Sequence, residues 1–293
     1  MARNVSIIGE NFSLLESPRW KDGRLFVSDF YTRRVLAFDS DGSYDTIAEV
    51  EGQPSGLGWD LEDRLLISSM NDRKLLRQED DKLVEVADLA EWSDSPMNDM
   101  VVDSQGRAYL GSFGDPDDLG RTSLVRVDAD GKVSKTGGVV YFPNGSCITP
   151  DGKTFLLAET FLGRVSAFDI GPDGTLSGRR EWATFGDPID TTDMAEAAST
   201  LPVLPDGMCL DAEGCLWVGC PVSHGVYRVR EGGEILEKIE TGEQTVFAPM
   251  LGGEDGKMLY LCCAAPILTD DHTTVHQATL RACKVDVPRA GRP

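Results

Sequence analysis

The sequence predicts an all-β chain folded as a six-bladed β-propeller around a central channel. A turn followed by an alternating strand recurs six times, the recurrence is evenly spaced, and each copy is followed by a further strand. The six copies begin Asp22-Gly23, Glu62-Asp63, Gln105-Gly106, Asp151-Gly152, Glu213-Gly214 and Asp255-Gly256. Asp-Gly between apolar runs is a hairpin signal, because both central residues of a type I′ turn need positive φ. The second turn residues are 23, 63, 106, 152, 214 and 256, giving steps of 40, 43, 46, 62 and 42. A period of about 40–45 residues with several strands per copy is that of a propeller blade.

Each copy reads on in the same way. The first strands are Arg24–Val27, Arg64–Ile67, Arg107–Leu110, Lys153–Leu156, Cys215–Val218 and Lys257–Tyr260. The strands after them are Arg34–Asp39, Lys74–Arg77, Ser123–Asp128, Gly163–Asp169, Gly225–Val229 and Thr279–Val285. The segment Asn4–Ile8 precedes the first copy and is placed in the last blade, where it closes the ring and removes free sheet edges. The long fourth step marks an insertion at about 187–203, in which Asp190–Ser199 reads as a short helix capped by Thr or Asp. It leads into the loop at Asp206, so a lid over the channel mouth is one reading and a surface loop the other. Gly114–Arg121 is a second candidate rim.

The chain has 293 residues and shows no linker or low-complexity tract, so 1–293 is read as one domain. Residues 1–15 lack a basic-then-apolar leader, and no apolar run approaches the roughly 18 residues of a membrane helix. A soluble, cytoplasmic protein without membrane partners is expected. Net charge is −21, from 49 acidic and 28 basic side chains, which argues against nucleic acid and favours cations. The seven cysteines form no C-x-x-C pair, and most lie in apolar strand patterns, so reduced core thiols are expected. The oligomeric state is not legible.

The functional signal lies seven or eight residues before each aligned turn, where the loop into the innermost strand opens at one mouth. Four blades carry an oxygen-bearing side chain there: Glu16, Asn98, Asn144 and Asp206. Blade two has Ser55-Gly56 and blade six Ala248-Pro249. Two carboxylates and two carboxamides aimed at one axis would be costly to bury unpaired. A hard divalent cation resolves the conflict by taking their oxygens as ligands. With no His or Cys in the set, calcium or magnesium is expected ahead of zinc, with manganese and iron(II) as further possibilities. His224, His272 and His276 form no H-E-x-x-H pair, and no G-x-S-x-G elbow is present. His224 reads as structural, and the loop Thr269–Gln277, carrying His272 and His276, as solvated.

At these loops the sequence resembles the gluconolactonase, regucalcin (senescence marker protein) and luciferin-regenerating enzyme family, over roughly residues 12 to 285. The resemblance rests on Leu15–Trp20, where the family usually has Glu-Gly-Pro before an aromatic, and on Asn98–Asp103. It rests also on Phe142-Pro143-Asn144-Gly145, on Pro205–Asp211 and on Ala158-Glu159-Thr160. It implies a propeller with one axial divalent metal held by Glu16, Asn144 and Asp206, with Asn98 touching substrate or metal, and an activity of lactone hydrolysis. On that reading Asp206 both ligates and accepts a proton from water, and Glu16 is chiefly a ligand.

Sugar-lactone members commonly carry an Arg two residues before the Asn98 position, where this chain has Pro96. The substrate expected is therefore a less polar lactone, met by Asn98, Met97, Phe142 and Met208. Phe161, Phe247 and Met250 are further candidates for the mouth. Two alternatives stand beside it: a metal-dependent phosphotriesterase or aryl esterase, and a non-enzymatic calcium-binding propeller.

Overall fold

In the computed structural model, which describes residues 3–267 and 271–293, six four-stranded antiparallel sheets are arranged around one axis. Blades one to five are each built from four consecutive strands, starting at Leu15, Pro54, Met97, Pro143 and Met208. Blade six joins Thr245–Gly252, Met258–Ala264 and Ala278–Lys284 to the N-terminal strand Ser6–Phe12, with Ser6 opposite Ala282 and Phe12 opposite Ala278. The first strand is thus hydrogen-bonded to the last, and the ring has no seam.

The innermost strands are Leu15–Lys21, Pro54–Trp59, Met97–Val102, Pro143–Ile148, Met208–Leu210 and Thr245–Gly252. Each packs against the innermost strand of the next blade, so they line the axis in cyclic order. All begin at the same face. Glu16, Ser55, Asn98, Asn144, Asp206 and Ala248 lie at one end, and Lys21, Trp59, Val102, Ile148, Leu210 and Gly252 at the other. Between the blades aromatic side chains pack against one another, Phe12 of blade six with Phe38 of blade one and Tyr109 of blade three with Phe155 of blade four, while Phe155 and Phe168 meet within blade four.

The type I′ expectation holds at the first turn, where Asp22 and Gly23 have φ of 50° and 83°. In blades two, three and five the loop is one residue longer, and only its last residue (Asp63, Gly106, Gly214) has positive φ. An aspartate makes the longer loop favourable by accepting from its N–H groups. Asp103 Oδ1 accepts from Gln105 N (2.8 Å) and Arg107 N (3.0 Å), and Asp60 and Asp211 repeat the device.

The insertion contains a helix, Met194–Thr200, whose cap Asp193 accepts from Ala195 N and Glu196 N. Its buried residues Ala197, Ala198 and Leu201 pack with Phe185, Val203 and Leu204 against blades four and five. Leu119 N donates to Thr192 O (3.2 Å), which ties the insertion to the 114–121 loop of blade three. All seven cysteines are free and buried, and burial pushes the thiols of Cys209 and Cys263 up to about 12. Among the described residues no helix is long and apolar enough to cross a membrane.

Candidate metal and active site

Four loops bring the expected oxygens to one mouth. Glu16 and Asp206 are 8% and 4% exposed, and each carboxyl is held well above the usual carboxylate range. For Glu16 the causes are burial, then the charges of Asp206 and Asp99. For Asp206 they are burial, then Cys220 and Asp99, with opposition from a hydrogen bond of Asn144 and the Gly207 N–H. Asp206 Oδ1 is buried without a hydrogen-bond partner. Ser55, at the equivalent position of blade two, is wholly buried and its hydroxyl also lacks one. Asn98 donates Nδ2 to the Pro143 carbonyl of the next blade (3.2 Å), and Asn144 donates Nδ2 to Thr160 Oγ1 (3.4 Å). One N–H of each amide is engaged in this way, and both amide oxygens remain available as acceptors.

This donor set fits a hard divalent cation. Two mutually repelling buried carboxylates, one with an unused oxygen, are supplemented by two neutral oxygen donors and no imidazole. Among the described residues no three His, Cys, Asp or Glu side chains form a metal-binding group. The carboxamides are therefore needed to complete any shell.

Adjacent ligand loops approach each other through backbone. A Cβ on Gly145 would lie 2.5 Å from Asp206 O, and one on Gly207 would lie 2.4 Å from the Ala248 Cβ. Gly145→Ala therefore has to push the Asp206 loop aside. It is expected to cost about 2–3 kcal/mol and to weaken metal binding with it. Calorimetric melts and a metal titration check this; unchanged metal affinity would show that the loop has slack.

The raised carboxyls also set a pH dependence. An acid whose folded pKa is raised binds its proton more tightly folded than unfolded, so stability falls as pH rises from about 4 through the raised values. A cation displaces those protons, so the stabilisation gained on adding metal is expected to grow with pH over that window. Melting curves with and without calcium or magnesium measure it; a metal-induced shift independent of pH would count against both carboxylates as ligands.

Not all of the expected substrate contacts reach the mouth. Met97 and Met208 are buried in hydrophobic clusters, as is Met250, and they are withdrawn as substrate contacts. Met97 is one residue from Asn98, so strand alternation turns it to the opposite side, into the core. Phe142 is half-buried, stacked on Phe113 at 5.2 Å and edge-on to Phe161 at 4.8 Å. Its φ of 40° is strained for a bulky residue. The solvated loop needs correction at His272, which is buried edge-on against Phe247 at 5.8 Å. His224 and His276 are exposed, and Thr269 and Asp270 lie outside the described residues. Glu159 is wholly buried among Arg164, Arg179 and Ser166, a structural ion-pair cluster within blade four.

A profile of the SMP-30/gluconolactonase/LRE-like region matches residues 14–265. The chain belongs to this family. A pentonolactonase of Haloferax volcanii is 26% identical, the match covering 98% of this chain and 95% of that protein. Among solved structures, a luciferin-regenerating enzyme superposes with a TM-score of 0.80 at 19% identity, covering 99% of this chain and 98% of that one. A calcium-binding regucalcin from Agrobacterium tumefaciens gives 0.78 at 19% identity over 100% and 99%.

Measured against this family's Glu-Gly-Pro, the second residue here is Ser17, and its φ of 50° is the left-handed conformation that glycine adopts without strain. The serine gains a hydrogen bond in exchange, from Oγ to Asp99 Oδ1 at 2.8 Å. Asp99 is the principal residue missed from the sequence. It pairs with buried Arg19 at 2.7 Å directly beneath the ligand loops. Its signal was a second acid adjoining Asn98 and a lone Arg three residues after Glu16, both read only as neighbours of the ligands.

Proposed function

We propose that the chain is a metal-dependent hydrolase that opens a lactone. The observation that carries this reading is the orphaned Oδ1 of buried Asp206 beside Glu16, at the end of the axis where the innermost strands begin. A divalent cation bound by Glu16, Asn144 and Asp206, with Asn98 beside it, would polarise the ester carbonyl and acidify water. Asp206 accepts the proton of the attacking water, whose oxygen adds to the carbonyl carbon. The ring C–O bond then breaks, and the alkoxide is protonated to give a hydroxy acid. Asn98, with one Nδ2–H held by Pro143 O, has its second Nδ2–H to donate to a lactone oxygen. Calcium is the cation favoured by an all-oxygen set, with magnesium, manganese, iron(II) and zinc to be compared. A cytoplasmic location and a single domain over 1–293 belong to the same reading.

Two supports point to different lactones. The Phe113, Phe142 and Phe161 wall, with Pro96 nearby, favours an apolar ring substituent, whereas the name of the Haloferax relative favours a sugar lactone. A pH-stat panel on metal-stripped protein, with each cation restored, decides between them. Wild type is expected to prefer aliphatic or aromatic lactones, and Phe142→Ala to lose about 10-fold in kcat/KM on those alone, the scale of one lost apolar contact. Preference for sugar lactones, unaffected by Phe142→Ala, would overturn the substrate assignment. Turnover of a phosphotriester alone, or tight metal binding with no hydrolysis, would replace the lactonase reading itself.

A further inference from the structure

At the far end of the axis, away from the ligand loops, the channel is only half covered. Residues 286–293 run across the ends of blades six, five and four as an irregular strap. Arg289 N donates to Gly256 O (2.9 Å), Ala290 N to Leu210 O (2.9 Å), and Arg292 N to Ile148 O (2.9 Å). Ile148 N and Ala212 N return bonds to Arg292 O (2.7 Å) and Pro288 O (2.8 Å). Gly291 permits this seat, since a Cβ there would lie 2.4 Å from Ile148 O. The ends of blades one to three are left open, and over them lies a cavity of about 460 Å³, with the strap as one wall and Trp20, Trp59 and Leu57 among the others.

The charges around this cavity do not balance within it. Its acids are already engaged: Asp60 by Arg64, Asp63 by Lys21, and Asp103 by Arg107. Of its cations, Arg19 is paired with Asp99 and Lys21 with Asp22 and Asp63. Arg289 and Arg292 pair with no carboxylate among the described residues. Each guanidinium makes a single bond to a backbone carbonyl, Arg289 to Trp20 O (3.0 Å) and Arg292 to Val102 O (3.3 Å). Two guanidiniums without a carboxylate partner lining one cavity are notable in a chain of net charge −21, where a surface carboxylate would be the ordinary neighbour. Burial lowers the pKa of Arg289; Cys209 opposes the shift and the charge of Arg292 adds to it.

We propose that this cavity is a second binding site, for a small organic oxyanion whose carboxylate or phosphate head lies between Arg289 and Arg292 and whose apolar body lies against Trp20 and Trp59. Most of the ten guanidinium N–H donors remain available, and their planar forks match oxyanion geometry in pairs. The strap's backbone bonds to three blades pre-position both side chains, so little ordering cost remains on binding. The site is separate from the lactone-opening mouth and does not depend on the reaction assigned there.

Isothermal titration of the metal-loaded protein with phenyl phosphate and with benzoate, at low ionic strength, tests the proposal. Saturable one-to-one binding at about 0.1–1 mM is expected for at least one probe, with quenching of tryptophan fluorescence. The double variant R289A/R292A should weaken it by about 10-fold or more, and R292A alone by less, with the metal-induced thermal shift unchanged because the strap's backbone bonds to the blades involve neither side chain. Phenyl phosphate binding alone assigns a phosphate head, and benzoate binding at comparable strength a carboxylate head. Absence of saturable binding for both probes, or equal affinity in the double variant, overturns it; the latter would place the anion on the metal.

Discussion

Replacing Asp206 by Asn is expected to lower kcat for lactone opening by about 10²- to 10⁴-fold, the range for losing a positioned proton acceptor, while making the metal-free protein more stable. The two effects share one cause. Without a cation, Asp206 and Glu16 are buried acids that repel each other, and Asp206 has an oxygen with no partner. The amide keeps the shape, removes the charge and releases Glu16 from its neighbour's field. A gain in metal-free stability of about 1–3 kcal/mol, the equivalent of one or two pKa units of relieved charge repulsion, is the expected scale. Metal-induced stabilisation should shrink at the same time. Denaturant titrations with and without calcium, alongside pH-stat turnover, read both halves. Near-normal turnover in D206N would remove Asp206 as the proton acceptor, and a less stable metal-free variant would remove the electrostatic account.

The fold was legible because a propeller writes itself into sequence as a period. Each blade needs its own turns, and turn chemistry is local, so Asp22-Gly23 and Glu213-Gly214 announce themselves without tertiary information. The closing strand was legible for the same reason, since Ser6–Phe12 has no partner of its own before the first copy. The loops that carry the four buried oxygens were legible through registration. No residue among Glu16, Asn98, Asn144 and Asp206 is distinctive alone, but offsets of seven or eight residues from four of the six turns place them at one level around an axis.

What failed was side-chain direction near strand starts and contacts between blades. Met208 is two residues from Asp206, and simple alternation would put both on one side. Its strand begins only at Met208, after the close approach at Gly207, and the alternation does not extend back through that loop. His272 packs on Phe247 across a loop whose polar composition suggested water, because the apolar surface covering it comes from the innermost strand of the same blade, distant in sequence. The Arg19–Asp99 pair joins residues 80 apart in sequence and has no periodic signal at all.

That pair carries the second large expectation. Arg19 spans the axis beneath the ligand loops: Nε donates to Leu57 O (3.0 Å), Nη1 to Pro18 O (2.9 Å), and Nη2 to Asp99 Oδ1 (2.7 Å) and Met100 O (2.5 Å). It thereby links the innermost strands of blades one, two and three. Arg19→Met leaves Asp99 buried with only Ser17 Oγ and its neighbouring Met100 N–H, and strands three carbonyls. A loss of about 3–5 kcal/mol follows, as when one partner of a buried pair is removed. Neutralising the remaining partner should recover part of it, so Arg19→Met/Asp99→Asn is expected to be more stable than Arg19→Met alone. The asymmetry distinguishes an ion pair from mere packing: if the bulk of Arg19 is what matters, Asp99→Asn adds its own cost and the double variant is the least stable of the three. Arg19 also opposes the raised pKa of Glu16, so the double variant, where it folds, should retain metal binding with a pH dependence set by Glu16 and Asp206. Loss of metal binding in a folded double variant would mean that Arg19 holds the ligand loops in place and does not merely balance the charge below them.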